Sequence, residues 1–149
     1  MIRKFFLVDD DKDDTELFAD ALSEIASSIE FNCAFNCKEQ TRALLGSQFK
    51  PQIIFLDINM PRMSGWECLE ALKNDERTKD IPVIMYSTSS PMVEGKKAIK
   101  FGAVGFYEKP ASFVWLKEFL QFITSTTESD LTSTLKKLRE SNSHRLYVE

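Results

Sequence analysis

At 149 residues, 43% of them hydrophobic and 28% charged, the chain has the length for one domain with a real core and the composition of an ordinary globular protein. A net charge of −4 excludes nucleic-acid binding by bulk electrostatics, and no apolar run approaches the ~20 residues that cross a bilayer, so no membrane partner is expected. Met1-Ile2-Arg3-Lys4 leads straight into an apolar strand rather than a signal peptide, which predicts a cytoplasmic location.

The first element, Phe5–Val8, is apolar without alternation, the pattern of a strand buried on both faces; it ends in Asp9 and Asp10. Leu17, Phe18, Ala21, Leu22, Ile25 and Ala26 then recur at helical spacing, and Asp11, Asp13 and Asp14 suit the cap and first turn of that helix. Phe31, Cys33, Phe35 and Cys37 alternate with Asn32, Ala34 and Asn36, predicting a strand with one wetter side at a sheet edge. A short helix around Thr41–Gln48 follows. The third strand, Ile53-Ile54-Phe55-Leu56, ends in Asp57, and the chain turns through Asn59-Met60-Pro61 to a helix starting near Ser64, with Glu67 completing a capping box.

Pro82 opens the fourth strand, Val83-Ile84-Met85-Tyr86, which ends in Ser87-Thr88. A helix over about Pro91–Phe101 stops at Gly102, a fifth strand over Val104–Tyr107 leads to Lys109-Pro110, and the last regular helix covers about Ser112–Thr124. Residues 125–149 are Ser/Thr-rich with cancelling charges, and Leu131, Leu135 and Leu138 are spaced for one short helix. That segment is too short for a second folded domain.

Strands alternating with helices predict an α/β fold with a doubly wound parallel sheet. The expected form is flavodoxin-like: five strands in the order 2-1-3-4-5 with five helices over residues 1–124, followed by a polar tail over 125–149. Ligands in such sheets collect outside the carboxyl ends of the strands. Here those ends deliver acids, a hydroxyl and an ammonium to one edge. Cys33, Cys37 and Cys68 are odd in number and lack C-x-x-C spacing, and they read as plain buried thiols. His144 is the only histidine, so a histidine-based metal site and an internal His–Asp triad are excluded.

Phosphoryl transfer needs an in-line nucleophile and compensation for charge on three equatorial oxygens. Asp57 fits the nucleophile, forming an acyl phosphate. Asp9 and Asp10 concentrate negative charge that implies a hard cation, and Mg²⁺ suits carboxylate ligands. A phosphatase of the haloacid dehalogenase type needs a second acid two residues after the nucleophile, where this chain has Asn59. A flavodoxin would want a hydroxyl- and Gly-rich loop after the first strand, where this chain has Asp9-Asp10-Asp11.

Asp9-Asp10, Asp57, Ser87 and Lys109-Pro110, each after its own strand, together with Phe-Leu-Asp-Ile-Asn-Met-Pro-Arg-Met-Ser-Gly over 55–65, resemble the receiver domain of a two-component response regulator, across about residues 2–124. The resemblance, to a stand-alone receiver of the chemotaxis-regulator kind, implies metal coordination by Asp10, Asp57 and the carbonyl of Asn59, with Asp9 acting largely through a water. It implies Lys109 and Ser87 on the phosphoryl oxygens, Phe106 as the aromatic that fills space vacated on switching, and Asn59 and Ser89 flanking the phosphoryl group. A cis Lys109–Pro110 bond is implied as well.

The implied partners are a sensor histidine kinase or histidine phosphotransfer protein and a downstream protein target. A relay passing the phosphoryl group to a second histidine protein is the alternative. The chain is expected to assist its own phosphorylation and dephosphorylation rather than act as an enzyme on other substrates. On the last helix, Phe113, Leu116, Phe119, Leu120 and Ile123 form a core stripe, while Trp115 and Phe122 lie about 90–100° off its centre. Those two rings are expected either along the margin of the core or in a patch that contacts a partner or, in a homodimer, a second copy.

Overall fold

The computed structural model describes residues 1–46, 48–141 and 145–149. The five expected strands are β1 (Lys4–Val8), β2 (Glu30–Ala34), β3 (Ile53–Leu56), β4 (Val83–Ser87) and β5 (Gly105–Glu108). They run parallel in the order β2-β1-β3-β4-β5. Between them lie α1 (Lys12–Ile25), α2 (Cys37–Gly46), α3 (Gly65–Asn74), α4 (Pro91–Lys100) and α5 (Phe113–Thr124).

The lack of alternation in the central strands has a direct cause. Phe5, Leu7, Ile53, Phe55, Ile84 and Tyr86 face one core, with Phe18 and Leu22 of α1 and Leu116, Phe119, Leu120 and Ile123 of α5. Their neighbours Phe6, Val8, Ile54, Leu56, Val83 and Met85 face a second core, with Leu44 of α2, Leu69 and Leu72 of α3 and Ala98 of α4. Both faces are dry, so each of these strand positions is apolar. Side-chain oxygens of Asp11, Ser64, Ser90 and Ser112 cap the N-termini of α1, α3, α4 and α5, relieving backbone donors that have no intrahelical partner.

Four expectations are corrected. Among the described residues the sheet has six strands, because β6 (Leu146–Tyr147) adds antiparallel to the outer edge of β5. It follows α6 (Leu131–Glu140), whose Leu131 and Leu135 are buried in the first core with Leu146 and Val148. A segment polar on average thus buries a few well-placed apolar side chains.

The second correction concerns β2, which ends at Ala34, so Cys37 opens α2 instead of continuing the strand. The Glu39 amide donates to Asn36 Oδ1 at 2.9 Å and Glu39 Oε2 accepts the Phe35 amide at 2.8 Å, a reciprocal cap that starts the helix early. Third, Cys37 and Cys68 are joined as a disulfide between α2 and α3, with Cα atoms 5.6 Å apart, while Cys33 stays a half-buried thiol. The Lys109–Pro110 bond is trans, against the form implied by the resemblance. Among the described residues no helix is long and apolar enough to cross a membrane. His144 lies outside the described residues.

Candidate functional site

Each strand hands its functional residue to the same edge through the last rung of the ladder. The Asp57 amide donates to the Val8 carbonyl at 2.9 Å, the Asp9 amide to Ala34 at 3.0 Å, and the Lys109 amide to Ser87 at 2.7 Å. Asp9, Asp57 and Ser87 therefore have fixed backbones, and all three side chains are buried. Asp10 and Asn59 are exposed at the rim. Behind Asp57 the start of α3 comes very close: a Cβ on Gly65 would sit 2.0 Å from the Asp57 carbonyl oxygen. Only a residue without a side chain fits there.

The carboxylates of Asp9, Asp10 and Asp57 converge, each offering an oxygen within 4.8 Å of the others. Lys109 Nζ lies 2.7 Å from Asp9, 2.8 Å from Asp14 and 3.9 Å from Asp57, and 5.4 Å from the centre of the Tyr86 ring. One ammonium thus faces three carboxylates. Burial pushes the Asp57 carboxyl up to about 7, opposed by the charge of Lys109 and reinforced by that of Asp9. Burial also raises Asp9. Burial disfavours the charge of Lys109, but the hydrogen bond to Asp14, the ion pair with Asp9 and the nearby carboxylate of Asp57 outweigh it, and its pKa rises.

Asp9 Oδ2 is buried without a directed hydrogen bond, its lysine contact being one of charge. Three converging carboxylates with an excess of negative charge and one such oxygen fit a hard divalent cation, whose charge would relieve both.

Asp57 titrates higher in the folded chain than in the unfolded one. The fold therefore holds the extra proton between about pH 4 and 7, and stability falls as pH rises through that window. With a chelator present, the thermal midpoint is expected to drop from pH 5 to pH 8, whereas Mg²⁺ should remove most of that drop. Parallel melts at the two pH values check this; an equal effect of Mg²⁺ at both would contradict it.

Two contributors were not singled out in the sequence. Asp14, assigned there to the helix start, reaches Lys109 from the first turn of α1, and Tyr86 lies against the same ammonium from β4. Neither carries a motif of its own; only the docking of α1 against the sheet brings Asp14 to the site. Phe106 is fully buried in the second core. Trp115 and Phe122 are 50% and 47% exposed, outside the core stripe that buries Leu116, Phe119, Leu120 and Ile123.

A doubly wound parallel sheet with an acidic cluster and a lysine at its switch point defines a CheY-like α/β protein. The sequence model of the response regulator receiver domain matches residues 5–121, and the chain belongs to that family. Chemotaxis protein CheY1 of Helicobacter pylori is 32% identical over 77 residues, 52% of this chain and 62% of that protein. A protein-glutamate methylesterase/protein-glutamine glutaminase of Methanococcoides burtonii is 34% identical over 136 residues, 87% of this chain but 35% of that protein. The chain thus spans less than two thirds of the length of either relative. Among solved structures, the phosphorylated cyanobacterial phytochrome response regulator RcpA superposes with a TM-score of 0.73 at 27% identity, covering 83% of this chain and 91% of that one. CheY4 of Vibrio cholerae gives 0.68 at 26% identity, covering 81% and 98%.

Proposed function

We propose that the chain is a single-domain response regulator of the cytoplasm, with residues 1–124 as the receiver unit, that accepts a phosphoryl group on Asp57 with Mg²⁺ bound. The observation that carries this reading is the convergence of Asp9, Asp10 and Asp57 beside Lys109 at the strand ends. RcpA, 27% identical, has been solved phosphorylated, which supports it.

A carboxylate oxygen of Asp57 attacks the phosphorus of a phosphohistidine on a sensor kinase or phosphotransfer protein. The O–P bond forms as the N–P bond breaks, and the imidazole nitrogen keeps the electron pair and takes a proton from solvent. Asp10, Asp57 and the Asn59 carbonyl would hold Mg²⁺ directly and Asp9 through a water; the ion supplies charge compensation to the phosphoryl oxygens. Lys109 leaves Asp14 and Asp9 for those oxygens, and the Ser87 hydroxyl donates to them. Phe106 follows the movement of the loop after β4. Chain-assisted attack of water on the acyl phosphate returns the resting state.

Beryllofluoride, a phosphoryl mimic, is expected to bind only with Mg²⁺ and only when Asp57 is present. Fluorine NMR of wild type and Asp57→Asn tests this, and a bound signal persisting in the variant would overturn the assignment. The downstream partner is a protein that meets the aromatic patch of Trp115 and Phe122. The alternative reading, a relay, requires phosphate to pass from Asp57 to a second histidine protein. Sedimentation of wild type and Trp115→Ala, each with and without beryllofluoride, tests the homodimer form: association of the loaded wild type alone is expected. Monomers throughout would reject dimerisation.

A further inference from the structure

Gly95 lies in the middle of α4, where glycine is a poor helix former and where no positive φ requires it. A Cβ there would fall 2.3 Å from Tyr147 Cγ. The helix is thinned at one position, and the ring of β6 fills the space. On the opposite face of the same strand, Leu146 and Val148 are buried in the first core, to 3% and 2% exposure. The Glu108 amide donates to the Arg145 carbonyl at 2.7 Å, Arg145 Nη1 lies 2.9 Å from Glu108 Oε2, and its guanidinium is 5.1 Å from the centre of the Trp115 ring.

Only two register pairs, Phe106 with Tyr147 and Tyr107 with Leu146, join β6 to the sheet, against four between β4 and β5. Residues 145–149 are thus seated on the sheet edge with alternate side chains on opposite faces and main-chain bonds giving register, while Arg139 of α6 donates to the Val148 carbonyl and lies over the Tyr147 ring.

We propose that the β5 edge and the Gly95 slot form a strand-acceptor surface for an extended segment of the downstream protein. That segment carries a basic residue followed by aliphatic, aromatic and aliphatic side chains. Residues 145–149 occupy the surface until Asp57 is phosphorylated. The seated strand itself shows which chemistry the surface accepts. This rests on Asp57 as phosphoacceptor, because Glu108, which holds Arg145 through both backbone and side chain, directly precedes Lys109. When Lys109 turns from Asp14 to a phosphoryl group, β5 is pulled at the residue next to the one that grips β6. The rung at Glu108 loosens, and the weakly paired strand yields to a competitor.

The test is an amide-shift titration of the isotope-labelled full chain with the acetylated peptide Arg-Leu-Tyr-Val-Glu. Beryllofluoride with Mg²⁺ is expected to tighten peptide binding about tenfold or more, with shifts at Phe106 and Glu108. Gly95→Leu should abolish the binding while leaving the beryllofluoride signal intact. Equal affinity with and without bound beryllofluoride would overturn the gating. The chain carrying Tyr147→Ala and Asp57→Asn separates the two readings: its weakened resident strand should admit the peptide without any phosphoryl mimic. If that folded chain shows no shifts at Phe106 and Glu108, the acceptor surface is overturned, whatever the fate of Asp57. If it binds while wild type takes up no beryllofluoride, the surface stands and the phosphoacceptor reading falls.

Discussion

Replacing Lys109 with alanine is expected to destabilise the chelated protein by about 3 kcal/mol, the cost of leaving a buried carboxylate without its counter-charge. Asp9 is fully buried and Lys109 is the cation closest to it, at 2.7 Å. The loss is bounded, because Asp9 or Asp57 can take up a proton instead of remaining charged. Added Mg²⁺ should restore most of the stability in Lys109→Ala, more than it adds to wild type, since the ion supplies the missing charge to the same acids. The variant should still bind Mg²⁺, yet phosphorylation should no longer alter its partner surface. Denaturant midpoints with chelator and with Mg²⁺ measure the first effect. An unchanged midpoint in chelator would show that Lys109 does not balance the cluster.

Gly65→Ala is expected to be comparably severe for a different reason. The new Cβ would meet the Asp57 carbonyl oxygen at 2.0 Å and Ile58 Cα at 2.7 Å, both backbone atoms of a segment fixed by the sheet. No side chain can swing away, so α3 and the turn carrying Asn59 must shift. Overpacking of this kind costs about 3 kcal/mol. A displacement of about 1 Å in a reacting geometry slows reaction by about 100-fold. Both the denaturant midpoint and the rate of phosphorylation by acetyl phosphate should fall. A variant with normal rate and stability would mean that the close approach of α3 does not set the position of Asp57.

The parts of the site at strand ends were legible because burial on both faces leaves an unmistakable apolar run, and the first polar residue after it must lie at the sheet edge. Asp9, Asp57 and Ser87 were read in that way, and the structure puts their backbones on the final rungs. Asp14 was assigned to the helix start, since its contact with Lys109 depends on how α1 docks against the sheet, which periodicity does not encode. The end of β2 was misplaced because Phe35 and Cys37 keep a strand's alternation while Asn36 and Glu39 start a helix; the local cap prevailed. β6 was invisible because a two-residue strand has no period to detect, and its main signal, Gly95, lies far earlier in the sequence, in another element. The pairing of Cys37 with Cys68 follows from helix packing across the second core, not from spacing.

The central claim is that Asp57 is where the phosphoryl group goes. Wild type incubated with acetyl phosphate and Mg²⁺, then reduced with borohydride, should show one altered residue on peptide mass mapping, with Asp57 converted to homoserine. Omission of Mg²⁺ should remove that product, Asp10→Asn should reduce it by weakening metal binding, and Asp57→Asn should abolish it. Labelling that persists undiminished in Asp57→Asn, or that maps to Asp9 or Asp10 in wild type, would contradict the account.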